Sequence, residues 1–506
     1  MSQSKNNKTE YNHTHPYEKP YADVEITAKN IENIFSDCGD FQKREIYIAL
    51  RPVPGVTALW LDGVVDGDTV TEAIIRPLTQ KIRMEGARTS RQCVDLMLHG
   101  AVYANTVQKR DRALDVVDDL CHGWCAVIFD DINEAVTFEV RTANVRSISS
   151  PTLEKSVKGA KDAFVETLRI NTSLVRRRLC TPKLKVINTR VGRKSSTRCA
   201  ILYIEGVADS EIVSQLAKRL DKIDVDGLLA SSGIEDYIVD CPLSPFPQTI
   251  HTERPDRFAQ QILGGRIGLI VNGIPLGFLV PATLSEFMRV PQDKTNNFIV
   301  ASTLSVMRWL ALFMSLALPA ILVAISMYHQ EMIPTKLLVS LVQAKQSVPF
   351  SVAFEVISML LAFDLLQEAG LRLPNPVGDT VSIIGALIVG QSAVEARVVS
   401  PVAVIIVALA GICGYTLPSQ DMSAALRVCR IVLVILALAS GLFGVAAGIC
   451  MLCFYLCGIE SFGVNYMSPL SSGRKNGIFR ALLRTPERKN KYRDPDLKTP
   501  DKRKQA

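Results

Sequence analysis

Residues 301–328 read ASTLSVMRWLALFMSLALPAILVAISMY, with Arg308 as the one charge, and this stretch divides the chain. A helix that crosses a bilayer needs about 20 mostly apolar residues. Segment A (301–328) is therefore expected to span, with Pro319 as its kink point. Four more apolar segments follow: B (350–368), which carries Glu355 and Asp364; C (377–394), rich in small residues; D (400–417); and E (427–457), long enough to span with tilt. Residues 300–467 thus read as an all-α, multi-span membrane domain. Upstream, residues 1–299 read as soluble α/β sequence, so the overall 48% hydrophobic and 21% charged composition of the 506 residues hides a split. This pattern excludes disordered, collagenous and small disulfide-stapled classes.

Downstream of the apolar segments lies a basic tail. From Pro469 to Ala506 there are 12 Lys/Arg and 4 Asp/Glu, a net charge of +8, whereas the whole chain carries +7. A basic tail beside the last apolar helix fits the positive-inside rule and an anionic leaflet; a disordered solubilising tail is equally compatible. Nucleic-acid binding is disfavoured, since no known nucleic-acid-binding fold surrounds the charges. The start, MSQSKNNKTEYNHTHPYEKP, has no apolar core of a signal peptide, so membrane entry is expected to rely on the internal segments. Both ends are then expected on the cytoplasmic side, which requires an even number of crossings. Four spans are expected, with B, bounded by Pro349 and Pro374, as the segment that does not cross. Arg427 and Arg430 count against that choice, because four spans would put them outside.

The soluble half divides into a flexible arm (1–40), a first α/β subdomain (41–182), a second (183–262), and a hairpin with linker (263–299). In the first, strands are expected at 44–51 and 57–62, a helix at 68–82 with Asp68 as N-cap, helices near 90–105 and 110–120, strands near 124–129 and 135–141, and a helix at 161–178. The segment L-W-L-D-G-V-V-D-G-D-T-V at 59–70 returns as L-Y-I-E-G-V-A-D-S-E-I-V at 202–213, with five identities in twelve at an offset of 143. Each copy is an apolar strand, a Gly turn, an acid near the N-cap and an amphipathic helix. Duplication is favoured over one common solution reached twice. Neither copy holds a phosphate loop, a dinucleotide fingerprint or a nucleophile elbow. Asn272-Gly273 between 266–271 and 274–280 marks a β-hairpin, too short and interrupted to be a span.

The 12 cysteines are scattered without zinc-site spacing. Cys121 and Cys125 read as core residues, and Cys450, Cys453 and Cys457, at i, i+3 and i+7, as a packed helix face. No metal and no cofactor is expected. The sharper signal is in segment B. An ionisable side chain in hydrocarbon costs at least ~2.5 kcal/mol on insertion scales, so such groups face a bundle interior or water. Ser351, Glu355, Ser358 and Ala362 lie on one polar-to-small stripe, with Asp364 further along. Around a symmetric oligomer this stripe would line a cation path. The alternative is that B lies in the interface or packs its acids against Lys345, Arg372 or Arg397. Gly385 and Gly390 in segment C permit close helix approach.

An ordered set of motifs resembles a known family: V-R-R-R at 175–178, V-G-R-K-S-S-T at 191–197, P-F-P-Q at 245–248, T-E-R-P-D-R at 252–257 and G-R-I-G-L-I-V-N-G-I-P at 265–275. I-P-T-K-L-L at 333–338, L-P-N-P-V-G-D-T-V-S-I-I-G-A-L-I-V-G at 373–390, V-S-P at 399–401 and S-F-G-V-N-Y-M-S-P-L at 461–470 complete it. Together they resemble the A subunit of GerA-type spore germinant receptors, a family that includes the stage V sporulation protein AF branch. The resemblance implies a multi-pass protein of the spore inner membrane that works in germination beside receptor B and C subunits. It implies self-association as a pentamer and a germinant-gated channel for monovalent cations, in contact with membrane lipids. The chain departs from the family at Gln391, where an acid is expected, and at Arg397. A secondary transporter predicts inverted repeats in the membrane half, and the repeat here is in the soluble half. A non-conducting scaffold predicts that substitutions on the stripe in B are silent. An enzyme is disfavoured, because no nucleophile–base set appears.

Overall fold

The computed structural model describes residues 21, 24–48, 56–80, 84, 89–141, 151, 154, 159–228, 231–346, 348–372, 390–471, 473 and 477–505. The chain forms two compact units. The first comprises Met1–Lys155, Ala160–Ile234 and His251–Leu279; the second comprises Ser156–Gly159, Glu235–Ile250 and Val280–Ala506.

The first unit is built on two sheets. Helix α1 (Ala28–Ile34) precedes β1 (Phe41–Ile46), β2 (Val56–Leu61) and β3 (Val107–Arg110); helix α2 (Ala113–Cys121) leads to β4 (Trp124–Phe129) and β5 (Glu134–Glu139). The strand order is β1-β2-β4-β5-β3. Val-Thr-Ala-Leu-Trp-Leu of β2 is apolar almost throughout because the sheet is covered on both faces. Ala58 and Val56 pack with Val70, Ile74 and Leu78 of the following helix. Leu59 and Leu61 pack with Val116, Leu120 and Ile31. Residues 26–38 are thus part of the core: Ile26, Ile31, Phe35 and Cys38 are buried, which corrects the expectation that the arm extends to residue 40. Strand β3 was not expected. Its sequence, Val-Gln-Lys-Arg, lacks a hydrophobic pattern because it sits at the sheet edge, paired among the described residues with β5.

The second sheet follows α3 (Leu168–Arg178) and contains β6 (Leu184–Val191), β7 (Thr197–Ile204), β8 (Ile250–Thr252), β9 (Ile267–Val271) and β10 (Gly277–Val280). Between these strands lie α4 (Ser210–Asp221) and α5 (Pro255–Leu263). Its order, β6-β7-β9-β10-β8, repeats the first sheet strand for strand. The turn that the repeat placed after β2 and β7 is the same in both: Gly63 and Gly206 have φ of +84° and +78°, the left-handed region where a side chain is strained. Asp66 and Asp209 then take the N-cap positions, so Asp66, and not the expected Asp68, starts the first helix. Helix α3 begins at Leu168 and not near 161, because Val165 N donates to Asn171 Oδ1 and holds the approach extended. The two sheets are joined through Arg176, which is fully buried: its Nε and Nη2 donate to both oxygens of Asp40 at 3.0 and 2.8 Å, and its Nη1 donates to Thr181 O and Leu184 O.

The second unit is helical: α6 (Phe298–Tyr328), α7 (Thr335–Lys345), α8 (Val352–Arg372), α9 (Pro401–Tyr415) and α10 (Gln420–Gly458). Two of these are long and apolar enough to cross a membrane, α6 and α10, with mean hydropathies of 2.4 and 2.5. Helix α9, on segment D, is shorter, at 15 residues. Helix α8 carries segment B. Most of segment C, including Gly385, lies outside the described residues.

Segment E is not one long tilted helix. Helix α10 is broken at Gly441, with φ +63° and ψ −141°. A Cβ on Gly444 would collide with Leu436 O, and one on Gly448 would stand 2.5 Å from Leu433 Cδ2. In an unbroken helix residues fifteen apart are about 22 Å distant. The chain therefore reverses at Gly441 into an antiparallel helical hairpin, and Gly444 and Gly448 let its arms meet. At the tip, Tyr328 donates its hydroxyl to Leu438 O. At the other end, the segments flanking the helical region meet: Ala282 N donates to Ser461 Oγ and Leu284 N to Tyr466 O, at 3.1 and 2.8 Å. Part of the basic tail is folded onto this end. Leu497 and Thr499 are buried, and Arg484 donates to the carbonyls of Asp293, Lys294 and Asn296.

Candidate functional site

Buried charges are embedded among the long helices of this unit: Glu355 on α8, Arg430 on α10 and Arg308 on α6, the two arginines each paired with a half-buried aspartate. Residues 352–372 form a helix because the segment is free of Pro and Gly until Gly370; Ser351 caps its start, its Oγ accepting from Phe354 N at 3.3 Å. Glu355, one turn in, is fully buried. Its Oε2 accepts from Ser400 N at 2.8 Å, at the N-terminus of α9. A carboxylate there meets the positive end of the helix dipole. Its other oxygen, Oε1, is buried without a hydrogen-bond partner among the described residues. Further along, Asp364 receives Arg430 Nη2 at 3.1 Å. Arg430 is 5% exposed, lies in the first arm of the hairpin, and its Nε has no hydrogen-bond partner among the described residues. Arg308 of α6 pairs with Asp293 at 2.5 Å, and its Nε is likewise unpartnered.

The structure splits the stripe read from segment B. Glu355 faces α9. Ser358 Oγ donates to Glu355 O within the helix, at 3.0 Å. Ser351 is exposed and Ala362 half-buried. The acids are held by Ser400 and Arg430, and neither of those partners was among Lys345, Arg372 and Arg397. Sequence spacing within B could not reveal them, because both partners come from later elements. Arg430 in an apolar run was the one available signal. Gly390 sits where a Cβ would be 3.3 Å from Val404 Cγ1, a close helix approach. Gln391 donates to Glu395 Oε1 at 2.9 Å on the surface.

The cysteines divide by environment. Cys121 and Cys125 are core residues whose thiols are pushed up by burial. Cys450, Cys453 and Cys457 are exposed in the single chain, so the described residues do not cover the face they form.

A two-sheet α/β region in one unit and, in the other, two helices long and apolar enough to cross a membrane are the make-up of a membrane-associated protein with a large α/β region. The chain belongs to the GerA family, Bacillus/Clostridium GerA spore germination proteins, whose family model matches residues 29–495. It is similar to spore germination protein KA of Bacillus subtilis (strain 168), 35% identical over 97% of this chain and 90% of that protein. It is also similar to spore germination protein GerLA of Bacillus cereus, 30% identical over 94% of this chain and 95% of that protein. Among solved structures, the N-terminal domain of the A subunit of the Bacillus megaterium spore germinant receptor GerK3 matches with 26% identity and a TM-score of 0.42, covering 52% of this chain and 98% of that one.

Proposed function

We propose that this chain is the A subunit of a germinant receptor in the spore inner membrane, and that copies of it assemble around a germinant-gated path for monovalent cations. Membership of a family of spore germination proteins supports the receptor reading. The observation that carries the channel reading is Glu355, a fully buried carboxylate among the helices with one oxygen unbonded among the described residues. Ser351, Glu355, Ser358, Ala362 and Asp364 are the proposed ion-path residues, and the contacts to Ser400 N and Arg430 are proposed to latch the closed state. Opening would exchange those contacts for ions and water. A germinant signal, relayed by receptor B and C subunits, drives this only to the extent that it binds the open state more tightly.

The proposed topology has six crossings, with the soluble half and the tail on the cytoplasmic side. The reversal at Gly441 makes segment E two crossings, so five apolar segments give an even number and B need not be excluded. Arg427 and Arg430 then lie in an arm that starts inside, as the positive-inside rule favours. Cysteine labelling in the loop 369–376 tests this: protection from an outside reagent is expected, and labelling from outside contradicts it.

The functional test is conductance of the purified chain in liposomes, alone and with its partners, with subunit counting. Discrete single-channel currents altered by E355Q support the reading. Slow, saturable exchange would favour a transporter, and currents or germination insensitive to every substitution on α8 would favour a scaffold.

A further inference from the structure

The second sheet carries a charge arrangement that the receptor reading leaves unused. Arg190 on β6 stands directly opposite Arg198 on β7 in antiparallel register. Directly opposed residues project from the same face about 5 Å apart, and like charges in that relation repel. Both side chains are exposed, and neither has an acidic partner among the described residues. By contrast, the basic residues at the β6–β7 turn are paired, Arg193 with Asp224 at 3.0 Å and Lys194 with Asp226 at 2.8 Å. Arg190 and Arg198 line a cleft of about 490 Å³ with Asn188, Thr189, Arg169 and Asn272. The acids in that cleft are already engaged. Asp40 gives both oxygens to Arg176, and Asp62 pairs with Arg169 at 2.6 Å. Two positive charges therefore remain without an offset, next to amide and hydroxyl donors.

We propose that this cleft binds a small dianion, a phosphate or a dicarboxylate, clamped between the Arg190 and Arg198 guanidinium groups. A guanidinium presents paired donors that match the oxygens of either group, and a bound dianion removes the repulsion that the register imposes. The site lies wholly in the α/β unit, so it stands or falls independently of any ion path through the helical unit.

The test uses the full chain in nanodiscs at constant ionic strength, with inorganic phosphate and malonate as probes and chloride as reference. Thermal unfolding and calorimetric titration are the readouts. Phosphate or malonate is expected to raise the unfolding temperature of the parent in a saturable way. The double variant R190S/R198S is expected to bind at least tenfold more weakly. R193S, which leaves the cleft intact, should respond like the parent. Without dianion, R198S is expected to unfold no earlier than the parent, since a repulsion has been removed. If the double variant does not fold, R190Q and R198Q singly should each weaken binding. Equal responses of parent and Arg190/Arg198 variants, or no response of the parent to either dianion, would overturn the proposal.

Discussion

Arg176 and Arg430 are both arginines buried beside an aspartate, and the two halves of the molecule treat them differently. In the α/β unit, Arg176 makes two bonds to Asp40 and two more to backbone carbonyls, so each of its guanidinium nitrogens is bonded. In the helical unit, Arg430 has a bond to Asp364 and an Nε that is unbonded among the described residues, where Glu355 and Arg308 also each keep one buried polar atom without a hydrogen-bond partner. A saturated ion pair is a rigid joint, because any movement exposes a desolvated charge. An under-bonded one costs less to rearrange. The fully bonded joint thus lies between the sheets, and the less fully bonded charges lie among the helices.

The largest effect that sharpens this contrast is expected at Asp40. D40N leaves the Arg176 charge buried and should destabilise the α/β unit by about 3–5 kcal/mol, read as a lower unfolding midpoint and faster amide exchange in β6 and β7. At Gly441, alanine must adopt a left-handed conformation with its Cβ 2.9 Å from the His329 ring. G441A should cost about 1–3 kcal/mol and loosen the hairpin, measured by the crosslinking yield between cysteines placed on its two arms. D364N should cost less than D40N, about 1–3 kcal/mol, and the double variant D364L/R430M should recover most of it. If D364N proves as damaging as D40N in thermal unfolding, the contrast between the halves fails. E355Q retains an oxygen that can accept from Ser400 N and loses only the charge, so its effect on stability should be smallest, about 0.3–1 kcal/mol. Its effect on cation flux should be larger than that on stability. A flux unchanged by E355Q would remove Glu355 from the proposed path.

Much of the α/β fold was legible because its signals are local. The repeat at 59–70 and 202–213 marks strands β2 and β7 and the two left-handed glycines, and places an acid near each helix start, although the first N-cap is Asp66 and not the expected Asp68. Asn272-Gly273 marks the connection between β9 and β10. What was illegible lies at edges and in reversals. Strand β3 carries no core pattern because pairing with β5, and not burial, makes it a strand. Gly441 is one of several glycines in an apolar run, and nothing local distinguishes a residue that reverses the chain from Gly444 and Gly448, which merely give room. The tail reads as basic and solvated, yet Leu497 and Thr499 are buried.

By itself the amino-acid order determined which stretches are apolar, where backbone turns are permitted and which charges sit in hydrocarbon-like sequence, since these depend on side-chain chemistry and spacing along a few turns. Only the tertiary structure decided which partner each buried charge meets: Ser400 for Glu355, 45 residues away, Arg430 for Asp364, 66 away, and Asp40 for Arg176, 136 away. The energy of a buried charge is set by the groups that surround it in space, and those are brought together by the packing of elements that the local sequence does not see.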